Sequence, residues 1–110
     1  MTHRLTAAMR AEGLIRLAQA QGLFAALRHR GEAERGALLV KLDRFDAGCL
    51  MLEPVTGFDG AALWRGLDGP AVAGPRAEEI IAKRRRVDTD LWVIEIEDPK
   101  SVLDPAAWPA

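Results

Sequence analysis

The chain has one cysteine, no tyrosine and two histidines, and each scarcity removes a class of chemistry. Cys49 has no partner for an internal disulfide, so a packed core must supply the stability, and a reducing compartment suits the composition best. A cysteine-based zinc cluster is excluded within one chain for the same reason. His3 and His29 fall in different predicted elements, so no histidine pair at helical spacing is available to a metal. Aromatic residues make up only 5% of the chain, which leaves little surface for stacking nucleic-acid bases. No apolar run reaches the roughly 20 residues that a membrane-spanning helix needs. A net charge of -1 supplies no overall field toward nucleic acid or membrane, so electrostatic recognition has to be local. These absences lead us to expect a cytoplasmic protein with no cofactor and no membrane association.

What is present fits one small domain. A chain of 110 residues buries roughly 65% of its unfolded surface, enough for a core without metal or disulfide. The basic, amphipathic N-terminus faintly resembles a transit peptide, but Arg10, Glu12 and Arg16 interrupt any secretory apolar segment. It reads better as a first helix. Ala7, Ala11, Leu14, Ile15 and Ala18 form its apolar stripe, and Gly22 stands where a left-handed helix end is expected. Short strand patterns follow at Leu23–Arg30, Ala37–Phe45, Cys49–Val55 and Ala61–Leu67, with Asp- and Gly-containing turns between them. The second and third strands read as an antiparallel hairpin. "DGPAVAGP" (Asp68–Pro75) reads as a loop, and Pro75 opens a second helix running to about Val87. "DLWVIEIED" (Asp90–Asp98) is a fifth strand. The order α-β-β-β-β-α-β predicts an α+β fold, an antiparallel meander with both helices on one face. Residues 1–98 make the domain and 99–110 a C-terminal tail, which Trp108 either pins to the body or leaves hanging free.

The stretch "KRRRVDTDLWVIEIEDPK" holds most of the candidate chemistry. Lys83, Arg84, Arg85 and Arg86 occupy the last helical turn and Glu78 and Glu79 the beginning, the arrangement a helix dipole favours. A solvated helix end explains this pattern without any function. The alternative is a binding surface, because guanidinium groups clasp phosphate or carboxylate in planar, two-point fashion. Arg28, His29 and Arg30 extend that surface if their strand lies nearby. Asp88 and Asp90 fit a turn-fixing role, clamping Arg85 or Arg86, and Trp92 begins the strand beyond them. On that strand Glu95 and Glu97 point the same way, ~7 Å apart at Cα. With Asp98 they make a weak candidate for holding a divalent cation. Cys49, among leucines in a strand, reads as a buried thiol.

"RHRGEAERGALLVKLDRF" and "KRRRVDTDLWVIEIED" together resemble a small bacterial family, domain of unknown function 1491, found mainly in alphaproteobacteria. Gly36, Ala37, Leu39, Val40, Lys41 and Leu42 match its first motif. Arg86, Asp88, Asp90, Leu91, Trp92, Val93, Glu95, Glu97 and Asp98 match its closing one. Thr89 stands where the family often has Pro, and Val87 where it often has an aromatic residue. The resemblance implies a compact α+β domain and carries no activity with it.

The sequence therefore points to a non-enzymatic binding or accessory module, whose surface is Arg28, Arg30, Arg84, Arg85 and Arg86. An acidic protein or phosphate-bearing ligand is the expected partner, with nucleic acid less favoured. One alternative is a metal-dependent hydrolase or nuclease-like enzyme using Glu95, Glu97 and Asp98. Another is a homodimer joined through an exposed sheet edge.

Overall fold

The computed structural model describes residues 5–60 and 62–108. It contains α1 (Ala7–Ala20), β1 (Phe24–His29), β2 (Leu38–Asp43), β3 (Cys49–Thr56), β4 (Ala62–Val72), α2 (Gly74–Val87) and β5 (Trp92–Glu97), with short 3-10 turns at Phe45–Ala47 and Pro105–Ala107. Thr6 caps α1 by accepting a hydrogen bond from the Met9 N–H at 3.2 Å. Gly22, at φ 76°, ends it in the left-handed conformation expected from the sequence.

The fold is α+β, but the expected meander is corrected. The strands lie in the order β1-β5-β2-β3-β4, with β5 antiparallel to β1 and parallel to β2. The strand richest in apolar residues on both faces takes the centre, where both faces are covered. Leu91, Trp92, Val93, Ile94 and Ile96 are all essentially buried. This arrangement also corrects the expected placement of the helices on one face. Leu38, Val40, Leu42, Trp92, Ile94 and Ile96 point toward α1, whose small Ala7, Ala11 and Ala18 let it lie close. Leu39, Met51, Leu91 and Val93 point the opposite way, toward Ala77, Ile80 and Ile81 of α2. One helix thus covers each face.

β4 is longer than expected, because the Pro/Gly-rich stretch from Asp68 onward continues it. Met51 pairs with Leu67 and Cys49 with Val72, so an outward bulge absorbs the intervening residues. Asp68 (φ 61°) and Gly69 (φ 94°) provide its left-handed turn.

The connection from β1 to β2 passes the start of β5 and grips it. Glu32 donates its N–H to the Asp90 carbonyl (3.0 Å), and Trp92 donates its N–H to the Ala37 carbonyl (2.8 Å). The Trp92 indole donates to the Glu32 carbonyl at 2.7 Å. Gly31 and Gly36 sit against the Asp90 carbonyl so closely that a Cβ would lie 2.1 Å and 2.6 Å from it. Residues after Asp98 add to the core as well. Asp98 is fully buried and accepts hydrogen bonds from the N–H groups of Val102 and Leu103, both at 2.9 Å. Leu103 and Trp108 are buried, and Trp108 meets Trp64 of β4 edge to face at 5.3 Å.

Two stability measurements follow from these contacts. Gly31→Ala forces the Asp90 carbonyl away and should lower the unfolding free energy by about 1–3 kcal/mol in urea denaturation. Trp108→Ala should cost about 3 kcal/mol or more; a loss near zero would show that the last residues contribute no core packing.

Candidate functional site

β1 carries a bulge after Leu27, where its register with β5 shifts between Leu27 and His29. Simple alternation puts Arg28 and Arg30 on one face and His29 on the other. The bulge instead brings Arg28 and His29 both toward α2. Arg30 goes elsewhere: its guanidinium lies 5.4 Å from the centre of the Trp92 ring, which belongs to the core beneath α1.

Arg28 is occupied from within. It grips Glu78 at both carboxylate oxygens (2.7 and 2.8 Å) and also donates to Glu95 at 3.0 Å. Lys41, buried in β2, donates to the same Glu78 at 2.9 Å and lies 3.8 Å from Glu95. Glu78 is therefore held at about 2, well below the usual carboxylate range. Its hydrogen bonds from Arg28 are the main cause; burial opposes them and Lys41 adds to them. Burial presses on the Lys41 ammonium, but the hydrogen bond to Glu78 and the charge of Glu95 outweigh it and raise its pKa. Arg84 is likewise consumed. It donates to Glu53 at 2.9 Å, and Arg65 holds the other oxygen of that carboxylate. Burial works to raise the Glu53 pKa, yet the two arginines bring it below its ordinary value.

The five arginines singled out from the sequence thus part company. Arg28 and Arg84 tie α2 to the sheet, Arg30 covers Trp92, and Arg85 and Arg86 stay exposed. Among the described residues no carboxylate pairs with Arg85 or Arg86. They line an open depression of about 400 Å³ together with His29, Ala82 and Thr89. His29 joins this depression because the bulge turns it toward α2, whereas Arg28 and Arg30, its neighbours in sequence, are engaged elsewhere. Its Nδ1 lies 2.6 Å from the Leu91 carbonyl oxygen. A carbonyl only accepts, so Nδ1 carries the hydrogen and Nε2 has its lone pair free in the neutral ring.

Asp88 and Asp90 fix the turn but do not clamp Arg85 or Arg86. The Asp88 side chain accepts the Asp90 N–H at 3.0 Å, a closed local turn that leaves both carboxylates off the helix end. Glu79 pairs with Arg76 at 3.1 Å and not with Lys83. The helix begins at Gly74, earlier than expected, so Glu78 falls in its second turn, over Lys41. Nor are the three acids of the metal alternative brought together. Glu95 and Glu97 face α2, whereas Asp98 is buried beneath the C-terminal segment, 3.7 Å from Arg44. Among the described residues no cluster of His, Cys, Asp or Glu is arranged to hold a metal ion. Cys49 is buried as expected, and burial raises its thiol pKa.

The geometry defines a small α+β protein in which Arg28, Lys41 and Arg84 are tied to carboxylates, while Arg85 and Arg86 line an open depression at one helix end. The chain belongs to a family described as a protein of unknown function (DUF1491), whose model matches residues 5–103. It is similar to the crystal structure of a DUF1491 family protein from Caulobacter crescentus, with 32% identity, 87% of this chain and 90% of that one covered, and a TM-score of 0.78. An NMR structure of a DUF1491 family protein from Caulobacter crescentus gives 29% identity, 98% and 97% coverage, and a TM-score of 0.80. The solution structure of a protein from A. tumefaciens gives 28%, 87% of both chains and 0.73. No curated protein matches the chain. The described residues include no helix long and apolar enough to cross a membrane.

The charge ties give a pH dependence. The Glu78 pKa falls from an ordinary 4.5 to about 2 on folding. Its contribution is therefore fully present above about 4.5 and is lost as pH falls toward 2. Denaturation midpoints measured from neutral pH downward should show Glu78→Gln less stable than the parent at neutrality, with the gap closing through this window. A gap that stays constant would remove Glu78 from the acid response.

Proposed function

We propose that the protein is a non-enzymatic binding module that captures an acidic or phosphate-bearing partner at the depression formed by Arg85, Arg86, His29 and Thr89. The observation behind this reading is the contrast within one helix end. Arg84 is bound internally to Glu53, while its two neighbours stay exposed beside a concavity, with no carboxylate partner among the described residues. Two guanidinium groups and a hydroxyl are the donor set that a phosphate or carboxylate requires. The aromatics described here are mostly engaged in the core or at hairpin tips, so base stacking along a strand of nucleic acid is not favoured. Solvent-exposed guanidinium groups also lose less on binding than buried ones, since no internal partner has to be displaced.

The test is a titration of a serine phosphopeptide, its unphosphorylated twin and a Glu-rich peptide, followed by amide chemical shifts. Shifts should gather at residues 82–89 and His29, and the Arg85→Ala, Arg86→Ala double variant should bind about tenfold or more weakly. Rising salt should weaken the parent's binding too. Arg84→Ala serves as the contrast: it should lower stability and leave this site's ligand preference intact. Equal binding by parent and double variant would dismiss the surface.

A further inference from the structure

The depression at the end of α2 contains one group that an anion alone does not use. Arg85, Arg86 and the Thr89 hydroxyl are donors, and all three residues are exposed. His29 differs from them. Its Nδ1–H is given to the Leu91 carbonyl at 2.6 Å, so the neutral ring offers the depression only the lone pair on Nε2. The half-buried ring makes no other hydrogen bond among the described residues. The polar side-chain atoms that are both buried and unpartnered are Nε of Arg10 and Arg44 and the Trp108 indole nitrogen. Nε2 is not among them, so it reaches the surface.

The backbone fixes this tautomer. The Leu91 carbonyl and the Trp92 N–H belong to one planar peptide unit, and that N–H is pinned to the Ala37 carbonyl at 2.8 Å. The Leu91 oxygen therefore points the other way, toward β1, and the bulge between Leu27 and His29 sets the ring against it. An imidazole held in this manner discriminates between oxygens. It accepts from a hydroxyl and opposes the lone pairs of a carboxylate. A strongly acidic segment would bring acceptors to this lone pair as well as to the arginines. A ligand with one compact anion and a hydroxyl a few bonds away satisfies both.

We propose that the depression takes a small hydroxylated phosphate monoester, of the glycerol phosphate or sugar phosphate type. Arg85 and Arg86 hold the phosphate, and His29 Nε2 accepts a hydrogen bond from a neighbouring hydroxyl of the ligand. This rests on the anion-binding reading above and adds the class of ligand to it. Phosphate suits the site better than carboxylate, because its three terminal oxygens can take more of the donors that two guanidinium groups and Thr89 present. A volume of about 400 Å³ suits a ligand of this size. The arginines supply affinity, and His29 determines specificity.

Nitrogen-15 spectra of the free protein come first. At about pH 8 imidazole side chains are neutral, and His29 should then carry its proton on Nδ1. The chain has two histidines, so a His3→Gln variant assigns the signals. A proton on Nε2 overturns the proposal. Titration of the parent at the same pH with glycerol 3-phosphate and with methyl phosphate should show the first bound about three- to tenfold more tightly. It should also shift the Nε2 resonance further. His29→Leu should bring the two phosphates to equal affinity, and His29→Gln, which keeps an acceptor near Nε2, should retain part of the preference. Should both variants unfold, the comparison within the parent still decides. Equal affinities in the parent, both lost in the Arg85→Ala, Arg86→Ala double variant, overturn the hydroxyl acceptor and leave the anion site standing. Binding of neither phosphate, or binding indifferent to the double variant, overturns the anion-binding reading and this proposal together.

Discussion

The rest of the structure depends on how the last strand enters the sheet. β5 arrives after every other strand has been made and takes the place between β1 and β2. The loop that joins those two strands must therefore go around it. That loop closes on Asp90, Leu91 and Trp92 with two backbone hydrogen bonds and one from the indole, and the space left for it admits no side chain at Gly31 or Gly36. Once seated, β5 presents apolar side chains to both faces and gives each helix its floor. Burial of that kind contributes about 1.5–3 kcal/mol for each large aliphatic side chain, so the middle strand is the largest single store of stability in the sheet.

A second layer of constraint is electrostatic. Lys41 sits among the apolar residues Leu38–Val40 and Leu42 of β2 and is buried, a position that costs free energy unless the charge is paired. Glu78 from α2 and Glu95 from β5 pair it, and Arg28 from β1 closes the group. Three strands and a helix are thereby held in one register. Glu53 does the same for α2, β3 and β4 through Arg84 and Arg65. These ties explain why a basic helix is not uniformly a basic surface. Three successive arginines have two fates, one turned inward to a carboxylate and two left to solvent, because 100° of rotation per residue separates their directions.

The two structures of DUF1491 family proteins and that of the A. tumefaciens protein, 28–32% identical to the chain, share this fold at TM-scores of 0.73–0.80. A fold alone assigns no activity, so function has to be argued from surfaces. The described surface includes the exposed Arg85 and Arg86 around a concavity, and a strand edge at β1. The carboxylates that alternate along β5 are separated from Asp98 by the sheet itself.

The sequence by itself determined the elements. Periodicity of the alanine stripe, the turn residues between strands and the alternation of Trp92, Ile94 and Ile96 are local properties, and α1, α2 and β5 lie close to where they were expected. It also determined that Glu95 and Glu97 share a face, since a strand's period of two requires it. The tertiary structure alone decided the rest. Strand order is a matter of which apolar surfaces cover one another: apolar residues on both faces suit β5 to a central place, but nothing local chose β1 and β2 as its neighbours. The helices went to opposite faces because β2 and β5 are apolar on both sides. The bulge after Leu27 moved His29 toward α2 and separated Arg30 from Arg28, which no reading of alternation would give. Which arginines remain free was settled by carboxylates 31 and 50 residues distant in sequence, and long-range pairing of that kind exists only once the chain has folded.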